Sequence, residues 1–143
     1  MNERNEDHGS LEGITSMDVL EGILYYSFRD VEDREEKNFK MRDLQRSVYR
    51  LTKKEERLSE VFPFHEGTKY SEDLEQALSF LTMSHRVWRD RNVISGPSLN
   101  VGDSENFERI EEEVKEYLPQ DLRTSIEEKV EECIESGEYK ILS

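Results

Sequence analysis

Five basic residues, Arg42, Arg46, Arg50, Lys53 and Arg57, recur at spacings of three and four. At about 100° of rotation per residue they fall within roughly 80° of one another on a helix, opposite a stripe of Met41, Leu44, Val48 and Leu51. Cations aligned in this way neutralise phosphates or carboxylates along a line, so a nucleic-acid backbone or an acidic protein segment is the ligand chemistry they suit. A basic stripe opposite an apolar one is also what a solvated amphipathic helix shows, and residue types alone leave the two readings level. A second cluster, Arg86, Arg89 and Arg91, surrounds the single tryptophan, Trp88. An aromatic ringed by arginines can stack on a base or track a backbone. The same residues equally describe a core tryptophan whose flanking arginines keep a short edge strand soluble.

Other reactive types do not assemble into a recognisable site. The histidines are His8, His65 and His85, without His-x-x-x-His or Cys-x-x-Cys spacing, so no metal centre is expected. Cys133 has Glu131, Glu132 and Glu135 as neighbours, the wrong setting for a thiolate nucleophile, and reads as a small core residue. Carboxylates are abundant but occur in exposed runs, whereas acid-base catalysis needs a sheltered pair. With no Gly-rich phosphate loop and no Gly-x-Ser-x-Gly, the chain is expected to be neither an enzyme nor a cofactor binder.

The charge is unevenly placed. The whole chain carries −14, divided as −7 over residues 1–37, +2 over residues 38–95 and −9 over residues 96–143. The middle is a basic island between acidic flanks, while the total of −14 taken alone would repel phosphates. No apolar run approaches the roughly 20 residues of a membrane span, and the first residues lack the basic start and apolar stretch of a signal peptide, so a cytoplasmic protein is expected.

The elements that position these groups follow from hydrophobic spacing. Residues 1–13 show no period and read as a flexible arm. Met17, Leu20, Ile23, Leu24 and Phe28 predict a helix over 17–29, capped by Thr15 or Ser16. A second helix, capped by Asn38 and starting near Phe39, carries the basic stripe. Pro63 and Gly67 break the chain into an extended segment over 58–68. Ser71 caps a third helix with Leu74, Ala77, Leu78 and Leu81 on its core side. Residues 87–89 and 92–94, joined through Asp90 and Arg91, read as a hairpin. Two further helices with acidic outer faces follow: one capped near Asp103 or Ser104, the other entered through Pro119 and stopped by Gly137. The expected fold is mostly α with a small β hairpin: a winged helix-turn-helix domain over 14–97 and a two-helix C-terminal extension over 98–143, within one compact unit. Phe107, Ile110, Val114, Leu122, Ile126 and Val130 on the last two helices exceed what a small three-helix core needs and are expected to form a homodimer interface.

Two short stretches carry a resemblance. Leu44-Gln45-Arg46-Ser47-Val48-Tyr49 is similar to the Leu-Gln-Lys-x-x-Tyr helix, and Tyr70-Ser71-Glu72-Asp73-Leu74 to the Gly-Pro-Tyr-Ser-x-x-Leu helix start, of the YwgA-like and Panacea-type winged helix proteins. Lys69 stands where those proteins prefer Pro, and Thr68 where they prefer Gly. The resemblance, over residues 39–95, implies a winged helix scaffold that serves some relatives as a regulator or as an antitoxin-type protein-binding domain. It carries over no catalytic residue.

Together these features predict a transcription-regulator-like protein that contacts double-stranded DNA through the basic stripe and the hairpin wing. The alternative is a protein-interaction module of antitoxin or adaptor type. Carboxylates at the start of the third helix, Glu72, Asp73 and Glu75, argue against the usual insertion of that helix into a major groove. The acidic C-terminal helices are also candidates to mask the basic stripe, so that removing residues 103–143 would strengthen DNA binding.

Overall fold

A computed structural model describes residues 13–65, 67–90, 98–137 and 139. Its centre is helix α1, Ser16–Phe28. Thr15 caps it in a reciprocal box, accepting from Asp18 N at 3.1 Å while Thr15 N donates to Asp18 Oδ2 at 3.2 Å. The expected stripe is buried at Leu20, Ile23, Leu24 and Phe28, but so are Val19, Glu21, Tyr25 and Ser27 on other sides of the helix. α1 is therefore enclosed, packed against α4 (Glu72–Met83), α5 (Ser104–Tyr117) and α6 (Gln120–Glu135).

That enclosure corrects two expectations. Phe107, Ile110, Val114, Leu122, Ile126 and Val130 are all within 4% of complete burial inside the protomer, so they are core and not a dimer interface. The apolar stripes of α5 and α6 find their partner in α1 of the same chain. A boundary at residue 97 also fails, because strand β3, Ser98–Asn100, lies in one sheet with β2, Trp88–Asp90.

The sheet has order β1-β3-β2, with β1 being Phe39–Lys40 and both pairings antiparallel. Phe39 pairs with Leu99, and both are buried beside Phe28, whose ring lies 5.7 Å from that of Phe39. Phe39 is thus strand, not helix, and Asn38 accepts from Asn100 Nδ2 at 3.2 Å instead of capping. The expected second hairpin strand, 92–94, lies outside the described residues, as does Arg91; the partner that β2 finds is β3.

Helix α2 runs Met41–Lys54 and buries Leu44, Gln45, Ser47, Val48, Leu51 and Thr52. A short helix, α3 (Arg57–Val61), replaces the start of the expected extended segment, because Leu58 and Phe62 both turn into the core. Ser71 caps α4 by accepting from Leu74 N at 3.3 Å, Asp103 caps α5 by accepting from Asn106 N at 3.0 Å, and Pro119 precedes α6. Beyond α6, the buried Tyr139 exchanges a 2.6 Å hydrogen bond with Ser27, and burial pushes its phenol well above the ordinary range. Ile141 and Leu142 lie outside the described residues.

Trp88 lies over Gly102. Gly102 has φ of +83°, and a Cβ there would come within 2.7 Å of the indole ring. Gly102→Ala combines a left-handed backbone with displacement of the ring, and is expected to destabilise by about 2 kcal/mol. A red shift of the tryptophan emission with a lowered urea midpoint checks it.

Candidate nucleic-acid interface

The basic stripe divides once folded. Arg42 and Arg46 are exposed on α2, Lys53 is exposed near its end, and Arg50 is half-buried. Arg57 leaves the group, since α2 ends at Lys54 and the extended backbone of Glu55 redirects the chain. Its guanidinium donates to Glu55 Oε2 at 3.0 Å and to Asp121 Oδ2 on α6 at 3.0 Å, with a side chain only 17% exposed. Against burial, which raises it, hydrogen bonds from Arg57 and Ser125 hold Glu55 down at about 2. Arg57 is thus a structural cation and not a ligand contact.

The cluster around Trp88 thins in the same way. Arg86 Nε donates to Glu113 at 2.7 Å, its second nitrogen donates to the other Glu113 oxygen, and Nη1 reaches Ser84 O at 3.1 Å. Glu21 Oε2 lies 3.6 Å from Arg86 Nε and has no hydrogen-bond partner. Arg86 is consumed in this half-buried cluster. Arg89 lies on β2 opposite Leu99, and Trp88, 40% exposed, keeps one side on Gly102 and the other toward solvent.

A groove takes the place of the long stripe. Arg42, Arg46 and Arg50 from α2 line it together with Thr68, Lys69 and Tyr70, enclosing about 630 Å³. Met41 and Tyr49 add apolar lining. The second wall is set by a tight turn: Thr68 N donates to His65 O at 3.2 Å, His65 N donates to Tyr70 O at 3.0 Å, and Lys69 has φ of +53°. The two walls are tied by Gln45, whose Nε2 donates to Ser71 O at 2.9 Å while Ser71 N donates to Gln45 Oε1 at 2.8 Å. Lys69 and Tyr49 were not among the sequence candidates. Tyr49 lies one turn beyond Arg46, but Lys69 reaches the groove only through the 65–70 turn.

Tyr49 is flanked by two lysines and a second aromatic ring. The Lys53 and Lys69 ammoniums lie 5.0 and 5.7 Å from its ring centroid, and Phe64 meets it edge-on at 5.3 Å. A smaller hollow of about 270 Å³ adjoins the same ring, lined also by Lys53, Phe64 and His65.

The acidic helices leave this groove open. α6 carboxylates engage Lys54 through Glu132 at 3.8 Å, Arg29 through Glu127 at 2.7 Å, and Arg57 through Asp121. Among the described residues, these ion pairs reach the stripe at its α3 end. The proposed removal of residues 103–143 would take away α5 and α6, two of the three helices packed against α1, so it cannot report on masking. On α4 the outward residues are Glu72, Asp73, Glu75 and Gln76, followed by Phe80 and Met83. Among the described residues no group of three His, Cys, Asp or Glu side chains is arranged to hold a metal, and no helix is long and apolar enough to cross a membrane. Comparison with protein-family models, with curated proteins and with solved structures gave no match.

Proposed function

We propose that this chain is a non-enzymatic winged helix protein that binds DNA, with the groove between α2 and the 65–70 turn as its phosphate contact. The winged helix reading is supported by the order α1, β1, α2, α4, β2, β3 and by a sheet in which β1 borders β3. It is supported also by Gln45 and Ser71, which belong to the two stretches resembling YwgA-like and Panacea-type proteins and are hydrogen-bonded to each other.

The observation that carries the DNA reading is the gathering of Arg42, Arg46, Arg50 and Lys69 around one concavity in a chain of net charge −14. So acidic a protein repels phosphates unless cations are concentrated where contact is made. Arg42→Ala with Arg46→Ala removes two of these charges. Titration of a labelled oligonucleotide at several salt concentrations should then show affinity reduced uniformly across sequences, and a log–log salt slope smaller by about 2. An unchanged slope removes the groove from the DNA contact.

A second reading, a protein-interaction module, is favoured by one observation. Phe80 and Met83 lie 47% and 74% exposed at neighbouring turns of α4, beyond its acidic start. That face suits a protein surface and not a phosphate backbone. A flat DNA titration would transfer the function to it.

A further inference from the structure

We infer that the groove takes a short run of unpaired nucleotides in preference to a duplex, with Tyr49 as the stacking surface. This rests on the nucleic-acid reading and narrows its substrate.

Three observations point the same way. First, a phosphate backbone alone requires only cations, whereas this groove interleaves its arginines with Met41, Tyr49 and Tyr70. Aromatic faces among cations are the surface on which exposed bases stack while the sugar-phosphate chain follows the charges. The enclosed volume of about 630 Å³ admits a base with its sugar, not merely a phosphate oxygen. Tyr49 is held for this task by the edge-on Phe64 ring at 5.3 Å and 75°, and the exposed Lys69 ammonium beside it can swing to a phosphate when a base covers the ring.

Second, the basic zone is short. Arg42 and Arg50 are eight residues apart on one helix, about 12 Å, the length of a few nucleotides. Third, its border is hostile to a second strand. α4 begins directly after the Tyr70 wall with exposed Glu72, Asp73 and Glu75, and Glu75 accepts from the Tyr70 hydroxyl, so carboxylates edge the groove on that side. A duplex, broader than one strand, meets more of this acidic edge than a single strand seated among the arginines.

The test uses the full chain with fluorescein-labelled dT12, rU12 and a 12-base-pair dA·dT duplex, read by anisotropy at fixed low salt. At least one single strand should bind tenfold or more tightly than the duplex. Tyr49→Leu should weaken that strand by roughly tenfold, within the range for loss of one stacked base, leaving its salt slope unchanged, while Tyr49→Phe keeps the affinity. A circular-dichroism melt confirms that each variant is folded. Tighter binding of the duplex, or a folded Tyr49→Leu variant with unaltered single-strand affinity, overturns the inference but leaves DNA binding standing. Absence of binding by all three probes overturns both.

Discussion

Glu21→Gln is expected to stabilise the protein, by an amount that grows as the pH is raised. Glu21 sits in the middle of α1, 3% exposed, against Glu113 and Arg86, and its Oε2 has no hydrogen-bond partner. Burial first, then the hydrogen bond with Glu113 and its charge, push the Glu21 carboxyl up to about 9, while the Arg86 hydrogen bonds hold Glu113 at about 2 against its own burial. The cluster is thus a neutral acid, a carboxylate and a guanidinium, balanced in charge at neutral pH. The unfolded chain releases the Glu21 proton near the ordinary carboxylate value of 4.5, whereas the folded chain keeps it up to about 9. Between those limits the native state holds one more proton, so each rise in pH erodes stability, by at most about 1.4 kcal/mol per unit. Glutamine retains a donor for Glu113 without this proton uptake. Urea unfolding of both proteins should therefore nearly coincide at pH 5 and diverge progressively toward pH 9. Glu113 contributes in the opposite direction: its contribution is present above 4.5 and is lost as the pH falls toward 2. Removing the guanidinium is the complementary experiment. Arg86→Met leaves the Glu113 carboxylate without its main partner, and should cost roughly 3 kcal/mol at pH 7.

The second large effect is expected at Gln45. Its side-chain amide satisfies both backbone groups of Ser71, and the two residues are 4% and 0% exposed. Gln45→Leu preserves the volume but leaves a buried N–H and a buried C=O unpaired, a loss of roughly 2–4 kcal/mol. The damage should be local as well as global, because Ser71 caps α4 and follows the Lys69-Tyr70 wall of the groove. Amide hydrogen exchange over residues 68–75 should accelerate more than exchange within α5 or α6. Gln45→Glu keeps an acceptor for Ser71 N but sets a carboxylate against Ser71 O, so it should resemble Gln45→Leu at pH 7 and recover partly at pH 4. Equal stability of all three proteins would show that the amide pairing does not hold α2 to α4.

Much of the local structure was legible from side-chain chemistry. Thr15, Ser71 and Asp103 are caps because each supplies an oxygen to an otherwise unpaired N–H three residues on, and that signal is local. The core side of α4 follows from its spacing in the same way. Burial on several sides of α1 was not legible: the helical period marks one stripe, while Ser27 and Tyr25 are buried through bonds to Tyr139 and Glu111, far along the chain. β1 is two residues long, too short to show alternation, and becomes a strand only because Leu99 lies opposite Phe39. The charges of Arg57 and Arg86 were visible but their partners were not, since Asp121 and Glu113 are remote in sequence. For the same reason the apolar stripes of α5 and α6 read equally as an interface or as core: spacing shows that a stripe must be covered, not which chain covers it. The groove itself required the turn at 65–70 to bring Lys69 to α2.

The most direct test of the α2 groove as the nucleic-acid contact is a ¹H–¹⁵N correlation spectrum of the full chain during titration with dT12. Arg42, Arg46, Tyr49 and Lys69 should move together and saturate, with α6 unmoved. Changes confined to Phe80 and Met83 on α4, or a spectrum that does not change, would contradict the account.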